Sequence, residues 1–260
     1  MQECVQCRIV THERDLSGIV DYSSGSMHFW AAGYGGNLDA PLSDISRRIE
    51  VIKSLNEKYP LKSILDFGCG NGEMIREFSK LFATFGIEPE FEARKKSQQQ
   101  GFEVFENLFE SKSAIGNNFS VVTMFHVIEH IYKPKKELTQ IYESLEEGGF
   151  LIIETPSAQD ALLTLYDNTD FANFTYWSHH PILYSMEAIE KIVISAGFKL
   201  LDLRNIQRYS LENHLYWLSF GKPSGHEIWN QYFPAELTNY YDELLAAQEI
   251  GDTIWLLAQK

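Results

Sequence analysis

The chain has 260 residues, and its 22 lysines and arginines against 36 aspartates and glutamates give a formal net charge of −14. This acidic excess disfavours nucleic acid as a partner, because contacts with phosphates require a basic surface. There is no signal peptide and no apolar run of about 18 residues, so we expect a cytoplasmic protein that does not associate with a membrane. The length suits one large domain, or a core domain with additions.

The three cysteines, Cys4, Cys7 and Cys69, bear on compartment and metal binding. An odd number, with one cysteine inside a glycine-rich turn, indicates a reducing compartment. Cys4 and Cys7 have the spacing of half a zinc ribbon, but no second pair follows, and structural zinc usually takes four protein ligands. Because no convincing cluster of Asp, Glu and His occurs elsewhere, we predict no metal site.

The first part of the chain, residues 1–43, combines Gly and Ser with large aromatic residues such as Phe29, Trp30 and Tyr34. Aromatic side chains of this size need burial, so this composition is not that of a disordered segment. We interpret it as an arm or lid. Packing against the edge of the core and contact with a ligand both remain open.

Strands and helices alternate after the arm. The first helix is capped by Asp44 and ended by Pro60. Apolar runs predict seven strands, at 64–67, 83–87, 102–105, 119–125, 150–154, 198–203 and 253–258. This alternation predicts an α/β fold with a doubly wound, mostly parallel seven-stranded sheet and helices on both faces. The last strand follows no crossover helix, so we expect it to run antiparallel.

We divide the chain into an N-terminal arm over 1–43 and one domain over 44–260. Within the domain, the core spans 62–204, an insertion spans 205–251 and the last strand lies in 252–260. Insertions of this kind are where substrate selection commonly resides, because loops carry function on a rigid scaffold.

A glycine turn follows the first strand directly, in the order Asp66-Phe67-Gly68-Cys69-Gly70-Asn71-Gly72. A dinucleotide site is one interpretation, but its fingerprint places the third glycine three residues after the second, where this chain has Glu73. A pyrophosphate would also face Asp66 at close range. The carboxylate instead indicates a ligand with a positively charged group.

The pattern Asp66-x-Gly68-x-Gly70-x-Gly72, between a strand and a helix, resembles the first motif of class I S-adenosylmethionine (SAM) dependent methyltransferases. The segment 119–130 resembles the branch that includes quinone and sugar methyltransferases. The resemblance covers about 62–204. It implies a Rossmann-like fold, SAM as the cofactor and S-adenosyl-L-homocysteine (SAH) as the product.

The resemblance also implies which residues hold the cofactor. Asp66 would contact the ammonium group of SAM, and the glycines would let the backbone approach its methionine part. Glu88, at the end of the second strand, would accept hydrogen bonds from both ribose hydroxyls. The implied cofactor-binding set is Asp66, Gly68, Cys69, Gly70, Gly72, Glu88, Pro89, Asn107, Leu108 and His126.

Methyl transfer to a hydroxyl requires a group that removes a proton, and histidine suits this role because it titrates near neutrality. His126, at the carboxyl end of the fourth strand, is a candidate base or a wall of the cofactor site. His130 and His180 are further candidates as base or substrate contact. The alternative for each is a structural histidine satisfied by its own loop.

Our leading hypothesis is transfer to a small polar acceptor, such as a sugar, a nucleotide sugar or another precursor of a surface glycan. It rests on the low basicity and on polar and aromatic residues of the insertion, among them Tyr209 and His214. Methylation of a quinone or lipid-like aromatic is the alternative, and it predicts an apolar entrance including Phe171. A third hypothesis is a regulatory SAM-binding protein without transferase activity. The sequence leaves a homodimer open.

Overall fold

The computed structural model describes residues 2–4, 8–11, 42–176 and 180–260. The predictions for Cys7, Phe29, Trp30 and Tyr34 lie outside the described residues. Within the described ranges, no helix has the length and apolar character needed to cross a membrane.

The described chain forms a seven-stranded sheet and a small three-stranded sheet. The strands are β1 (Gln2–Glu3), β2 (Val10–Thr11), β3 (Ser63–Phe67), β4 (Ala83–Ile87), β5 (Glu103–Phe105), β6 (Phe119–Phe125), β7 (Leu145–Pro156), β8 (Ile182–Leu183), β9 (Lys199–Ile206) and β10 (Thr253–Gln259). The large sheet has the order β5-β4-β3-β6-β7-β10-β9. Strands β5, β4, β3, β6 and β7 are parallel, whereas β10 is antiparallel to both of its neighbours. The predicted α/β fold and the antiparallel last strand are thus confirmed.

Helices cover both faces of the large sheet. They are α1 (Leu42–Lys58), α2 (Glu73–Phe78), α3 (Phe91–Gln99), α4 (Leu108–Ile115), α5 (Pro134–Ser144), α6 (Ala161–Thr164), α7 (Thr169–Thr175), α8 (Met186–Ser195), α9 (Leu211–Phe220), α10 (Gly225–Ile228) and α11 (Ala235–Ala247). On one face, Ile52 of α1 and Phe78 of α2 pack in one buried cluster. On the other, Leu138 of α5 and Ile189 of α8 pack in a second cluster. Because both faces are covered, β6 is buried along almost its whole length.

Two details of the predicted elements are wrong. Helix α1 begins at Leu42, so Asp44 lies in its first turn and does not cap it. The buried Asp44 carboxylate instead accepts hydrogen bonds from Arg47 and Arg208. Strand β9 continues to Ile206, beyond the predicted start of the insertion, because its last residues pair with the first residues of β10.

The small sheet joins the start of the arm to the segment after β7. In it, β2 pairs with β1 and with β8, and Val10 lies opposite Leu183. Val10 is buried and packs with Ala158 and Leu183. The described start of the arm therefore packs on the segment that follows His180. The arm's assignment as a lid stays a prediction.

The insertion has both ends fixed at the carboxyl edge of the large sheet. Ile206 at the end of β9 pairs with Thr253 at the start of β10. The side-chain amide of Asn205 donates to the carbonyl of Gly251 at 3.1 Å, and the Gly251 N–H donates back at 2.6 Å. The second part of the insertion forms α11. Tyr209 precedes a further helix, α9, that the sequence did not predict.

Candidate active site

A cavity of about 310 Å³ lies at the carboxyl ends of β3, β4 and β6. We call it the first cavity. It is lined by Phe67, Gly68, Gly70, Asn71, Glu73, Glu88, Pro89, Glu90, Ala93, His126, Val127, His130 and Ile131. Ligands of open α/β sheets bind at this edge, so the cavity lies where the cofactor site was predicted.

The glycine turn requires glycine at Gly68 for two reasons. Its φ of +79° is in the region that side chains rarely adopt, and an added Cβ would lie 2.4 Å from Cγ2 of Val127. Gly70 and Gly72 also have positive φ, +52° and +85°. The turn is therefore a backbone-lined wall that follows β3 directly and leads into α2.

Glu88 ties this turn to the end of β4. Its Oε2 accepts the N–H of Gly70 at 2.8 Å, and its Oε1 accepts the N–H of Glu90 at 2.8 Å. Burial raises the pKa of the Glu88 carboxyl, although the two backbone hydrogen bonds oppose the shift. Each oxygen has a further lone pair, so the carboxylate can still accept hydrogen bonds from a ligand in the cavity.

Asp66 is buried at the end of β3 and is not among the residues that line the first cavity. Thr123 on the neighbouring β6 donates its hydroxyl to Asp66 Oδ1 at 2.7 Å. Burial raises the pKa of Asp66 to about 6, while Thr123 and Arg48 act in the opposite direction. Its predicted contact with an ammonium group stays a prediction.

Four other residues of the predicted cofactor set do not line the cavity. Cys69 is buried against Ile75, and Gly72 precedes the first residue of α2. Asn107 caps α4 by accepting the N–H of Glu110, and Leu108 is buried in the main core. Their proposed roles toward the cofactor stay predictions.

Sequence reasoning missed several lining residues, among them Glu73, Glu90, Ala93 and Ile131. Glu90 and Ala93 could have been found from the sequence, because both follow closely after the second predicted strand. Glu90 caps α3 by accepting the N–H of Ala93, which places both residues in the helix turn facing the end of β4. No pattern in the sequence marked Ile131.

A second cavity of about 160 Å³ lies between the carboxyl edge and the insertion. It is lined by His126, Pro156, Ser157, Asp160, Leu162, Phe171, Phe174, Thr175, His180, Arg208, Tyr209, Asn213, His214, Asp252 and Thr253. His126 lines both cavities, so its side chain forms part of the wall between them. The carboxyls of Asp160 and Asp252 are buried, and burial together with their mutual repulsion raises the pKa of Asp160.

His126 is held in an unusual backbone conformation, with φ of +58°. Its Nε2 lies 2.7 Å from Nη1 of Arg208, and its Nδ1 lies 3.7 Å from Oε1 of Glu129. Glu129 is fully buried, and its other oxygen accepts the hydroxyl of Thr155 at 3.0 Å. Arg208 comes from the insertion and was not singled out in the sequence.

His180 and His130 lie together, with ring centroids 4.8 Å apart. Nδ1 of His180 is 2.9 Å from the carbonyl oxygen of Thr175. A carbonyl only accepts, so Nδ1 carries the proton and Nε2 carries the lone pair of the neutral ring. Burial lowers the pKa of His180 to about 3, and the neighbouring His130 adds to this shift.

The possible ligand atoms of Glu129, His130 and His180 all lie within 4.8 Å of one another. A carboxylate and two imidazoles could hold a divalent ion. The sequence did not reveal this group, because His180 is distant in the chain from the other two residues. The prediction of no metal site remains untested.

Comparison with protein families identifies the core of the chain. Residues 42–203 match the model of a family described as a methyltransferase domain. Two curated relatives are ubiquinone biosynthesis O-methyltransferases. The mitochondrial one from Candida albicans is 32% identical over 104 residues, which are 36% of this chain and 32% of that protein. The one from Nitrosococcus oceani is 30% identical over 127 residues, which are 44% of this chain and 52% of that protein.

The chain thus spans about half or less of the length of these relatives. Among solved structures, a SAM-dependent methyltransferase from Archaeoglobus fulgidus superposes with a TM-score of 0.56 at 16% identity. The superposition covers 90% of this chain and 99% of that one, which supports the fold assignment. The family match covers more than half of the sequence, and the chain belongs to the methyltransferase-domain family.

Proposed function

We propose that the protein methylates a hydroxyl group of a small polar acceptor, with a sugar or nucleotide sugar as the favoured class. The observation that supports this proposal is the polar lining of the second cavity. Asp160, Asn213 and His214 are all buried there, beside the guanidinium of Arg208. Buried donors and acceptors of this kind suit an acceptor that carries several hydroxyls.

The first cavity fits SAM by its own chemistry. Gly68 and Gly70 expose backbone without a Cβ, and Glu88 presents a carboxylate to the same space. These residues would hold the cofactor, with Asp66 beneath them as the nearest buried anion of β3. When bound there, SAM supplies the methyl group that is transferred.

His180 is the residue that we assign as base. Its Nδ1 proton is committed to the Thr175 carbonyl, so Nε2 is the atom that can take the proton of an acceptor hydroxyl. The ring lines the second cavity, where the acceptor would lie. Burial lowers the pKa of this ring, so the form present before reaction is neutral, whereas the charge of Glu129 favours the protonated ring that forms when the proton is taken.

A second candidate function is methylation of an aromatic hydroxyl, as in a quinone precursor. Phe171 and Phe174 line the second cavity and pack on Trp217, with centroids 5.2 and 5.1 Å apart. Flat aromatic walls suit a ring-shaped acceptor. The two curated relatives are named for ubiquinone biosynthesis, which favours the same class.

Incubation of the full chain with methyl-labelled SAM and two acceptor panels separates the candidates. One panel contains nucleotide sugars, and the other contains ortho-diphenols. Label in a nucleotide sugar would support the first proposal, and label only in a diphenol would replace it with the second. Absence of label from both panels would contradict both.

The same assay tests His180. We expect His180→Asn to lower kcat by roughly 10²- to 10⁴-fold, the usual contribution of a general base, while SAH still binds. His226→Asn is the comparison variant, because His226 lines neither cavity but contacts Asn213 and Tyr209 of the second one, so it reports the effect of losing an imidazole behind the cavity wall. Full activity of His180→Asn would remove the base assignment.

Three other statements remain predictions from the sequence. They are the absence of nucleic acid and membrane partners, the cytoplasmic location and the possible homodimer.

A further inference from the structure

Arg208 connects the insertion to the wall between the two cavities. It follows the end of β9 by two residues and lines the second cavity. Its Nη1 lies 2.7 Å from Nε2 of His126. Its Nε donates to Oδ2 of Asp44 at 2.9 Å, and its Nη2 donates to the same oxygen. The guanidinium is therefore fixed between α1 and His126.

The chemistry of arginine decides which nitrogen of His126 carries a proton. A guanidinium remains charged in proteins and has only donors, so Nε2 of His126 must accept the hydrogen bond. A proton on Nε2 would point at the Nη1 hydrogens across only 2.7 Å. The neutral ring then carries its proton on Nδ1, on the side of Glu129, whose Oε1 is 3.7 Å away.

One nearby carboxylate could favour the opposite tautomer. Oε1 of Glu154 lies 3.6 Å from Nε2 of His126. However, Glu154 already accepts from Arg48 at 2.9 and 3.2 Å and from Arg47 at 2.8 Å. The contact with Arg208 is almost 1 Å shorter and has hydrogen-bond geometry, so it determines the tautomer.

The backbone does not fix the ring of His126 by itself. A histidine with positive φ is in a sparsely populated conformation that needs support from its surroundings. Of the three charged side chains that reach this ring, Arg208, Glu129 and Glu154, Arg208 makes the shortest polar contact. Arg208 also lies outside residues 42–203, which match the family model, so this support is specific to the insertion.

We propose that Arg208 is a positioning residue that holds His126 as the neutral Nδ1–H tautomer and keeps Nε2 occupied. His126 then serves as a fixed wall between cofactor and acceptor, and it does not remove the acceptor's proton. The insertion thereby sets the shape of the reaction site as well as the acceptor cavity. This inference rests on the proposed placement of cofactor and acceptor in the two cavities.

The tautomer can be read directly by long-range ¹H–¹⁵N correlation of the full chain labelled with ¹⁵N-histidine, recorded without ligand and with SAH. We expect a His126 pattern with Nδ1 protonated and Nε2 unprotonated. In Arg208→Met, which keeps an extended side chain without donors, this pattern should give way to a mixture of tautomers. Arg208→Lys retains a charged donor and should restore the wild-type pattern at least in part.

Arg204→Met is the matched control, because Arg204 is an exposed arginine of β9 that pairs with Asp202. It should leave the His126 signals unchanged. A proton on Nε2 in the wild type, or an unchanged pattern in Arg208→Met, would overturn the proposal. The wild-type spectrum decides the tautomer even if Arg208→Met does not fold. Failure of the wild type to bind SAH would contradict the proposed function instead, since the ligand-free spectrum reports the tautomer independently.

Discussion

The N–H of Gly70 donates to Oε2 of Glu88 at 2.8 Å, so one carboxylate joins the glycine turn after β3 to the end of β4. The same side chain accepts from Glu90 and lines the first cavity. Glu88 thus shapes the turn, and it lines the cavity in which we propose that the cofactor binds.

Glu88→Gln should weaken SAM binding. The amide keeps the volume of the side chain but has only one acceptor atom, so it cannot accept from Gly70 and Glu90 as the carboxylate does. We expect a loss of roughly 10- to 100-fold, the usual range for hydrogen bonds to a charged group. Isothermal titration with SAM measures this loss.

Glu92→Gln provides the control, because Glu92 is an exposed carboxylate in the first turn of α3, four residues after Glu88, and does not line the cavity. It should bind SAM as the wild type does. Equal affinity of the two variants would show that Glu88 has no part in the site.

Cofactor affinity should depend on pH through Asp66. The pKa of this carboxyl is raised to about 6, so it becomes neutral as the pH falls below that value. A neutral carboxyl no longer attracts the ammonium group of SAM. We expect affinity to fall with pH below about 6, by at most about tenfold per pH unit, since one proton is linked to binding.

Titrations of SAH into wild type and Asp66→Asn at several pH values test this dependence. The Asn variant should bind more weakly above pH 6 and lack the part of the pH dependence due to Asp66. A wild-type curve that is flat across this interval, or identical to that of Asp66→Asn, would rule out the electrostatic role.

Gly68→Ala should damage the site more than an ordinary glycine substitution. Its Cβ would lie 2.4 Å from Val127, and its φ is +79°. Val127 would have to move, and both residues line the first cavity. We expect a loss of SAH affinity by at least roughly tenfold, together with a lower melting temperature.

Gly101→Ala separates the clash from the backbone strain. Gly101 has a similar φ of +90°, but nothing lies within 4 Å of its added Cβ. This variant should lose some stability and keep its SAH affinity. If both variants lose affinity equally, strain in the fold would explain the result, and contact at the site would not.

The stability of the fold should depend on pH through His214. Burial lowers the pKa of this histidine to about 4. Between that value and about 6.5, the unfolded chain binds a proton that the folded chain does not, so the free energy of unfolding falls as the pH is lowered. His214→Gln removes this linkage.

Urea unfolding at about pH 7 and about pH 4.5 gives the free energy of unfolding of wild type and His214→Gln. Relative to His214→Gln, the wild type should be about 2 kcal/mol less stable at the lower pH than at the higher one. His226→Gln, at a partly exposed histidine of the insertion, is the comparison variant in the same measurement. A difference that stays constant with pH would mean that the pKa of His214 is the same in the folded and unfolded states.

The sheet could be predicted from the sequence because its strands are short apolar runs separated by helical periods. The positions of the glycine turn and Glu88 could likewise be predicted from the local sequence, since each directly follows the end of a strand. The second cavity was not predictable in the same way. Arg208 meets Asp44 and His126 only because the chain after β9 reaches α1 and the end of β6, although β7 and β10 separate β9 from β6 in the sheet. No local pattern in the sequence reports that contact.

The implied cofactor-binding set shows the same limit at the scale of single residues. Asn107 and Leu108 were included in it by resemblance, but the Asn107 side chain caps α4 and the Leu108 side chain is buried in the core. A motif indicates which strand end faces a ligand. It does not indicate which side chains turn toward the ligand and which turn toward the core.

The paired ends of the insertion have a consequence for acceptor choice. Ile206 and Thr253 lie opposite each other, so the chain between them leaves and rejoins the sheet at one point. The entropy of closing such a loop grows only slowly with its length. The segment can therefore be shortened, lengthened or exchanged with little effect on the sheet, which makes residues 209–250 a natural unit for grafting new acceptor preferences while Arg208 keeps its contacts with Asp44 and His126.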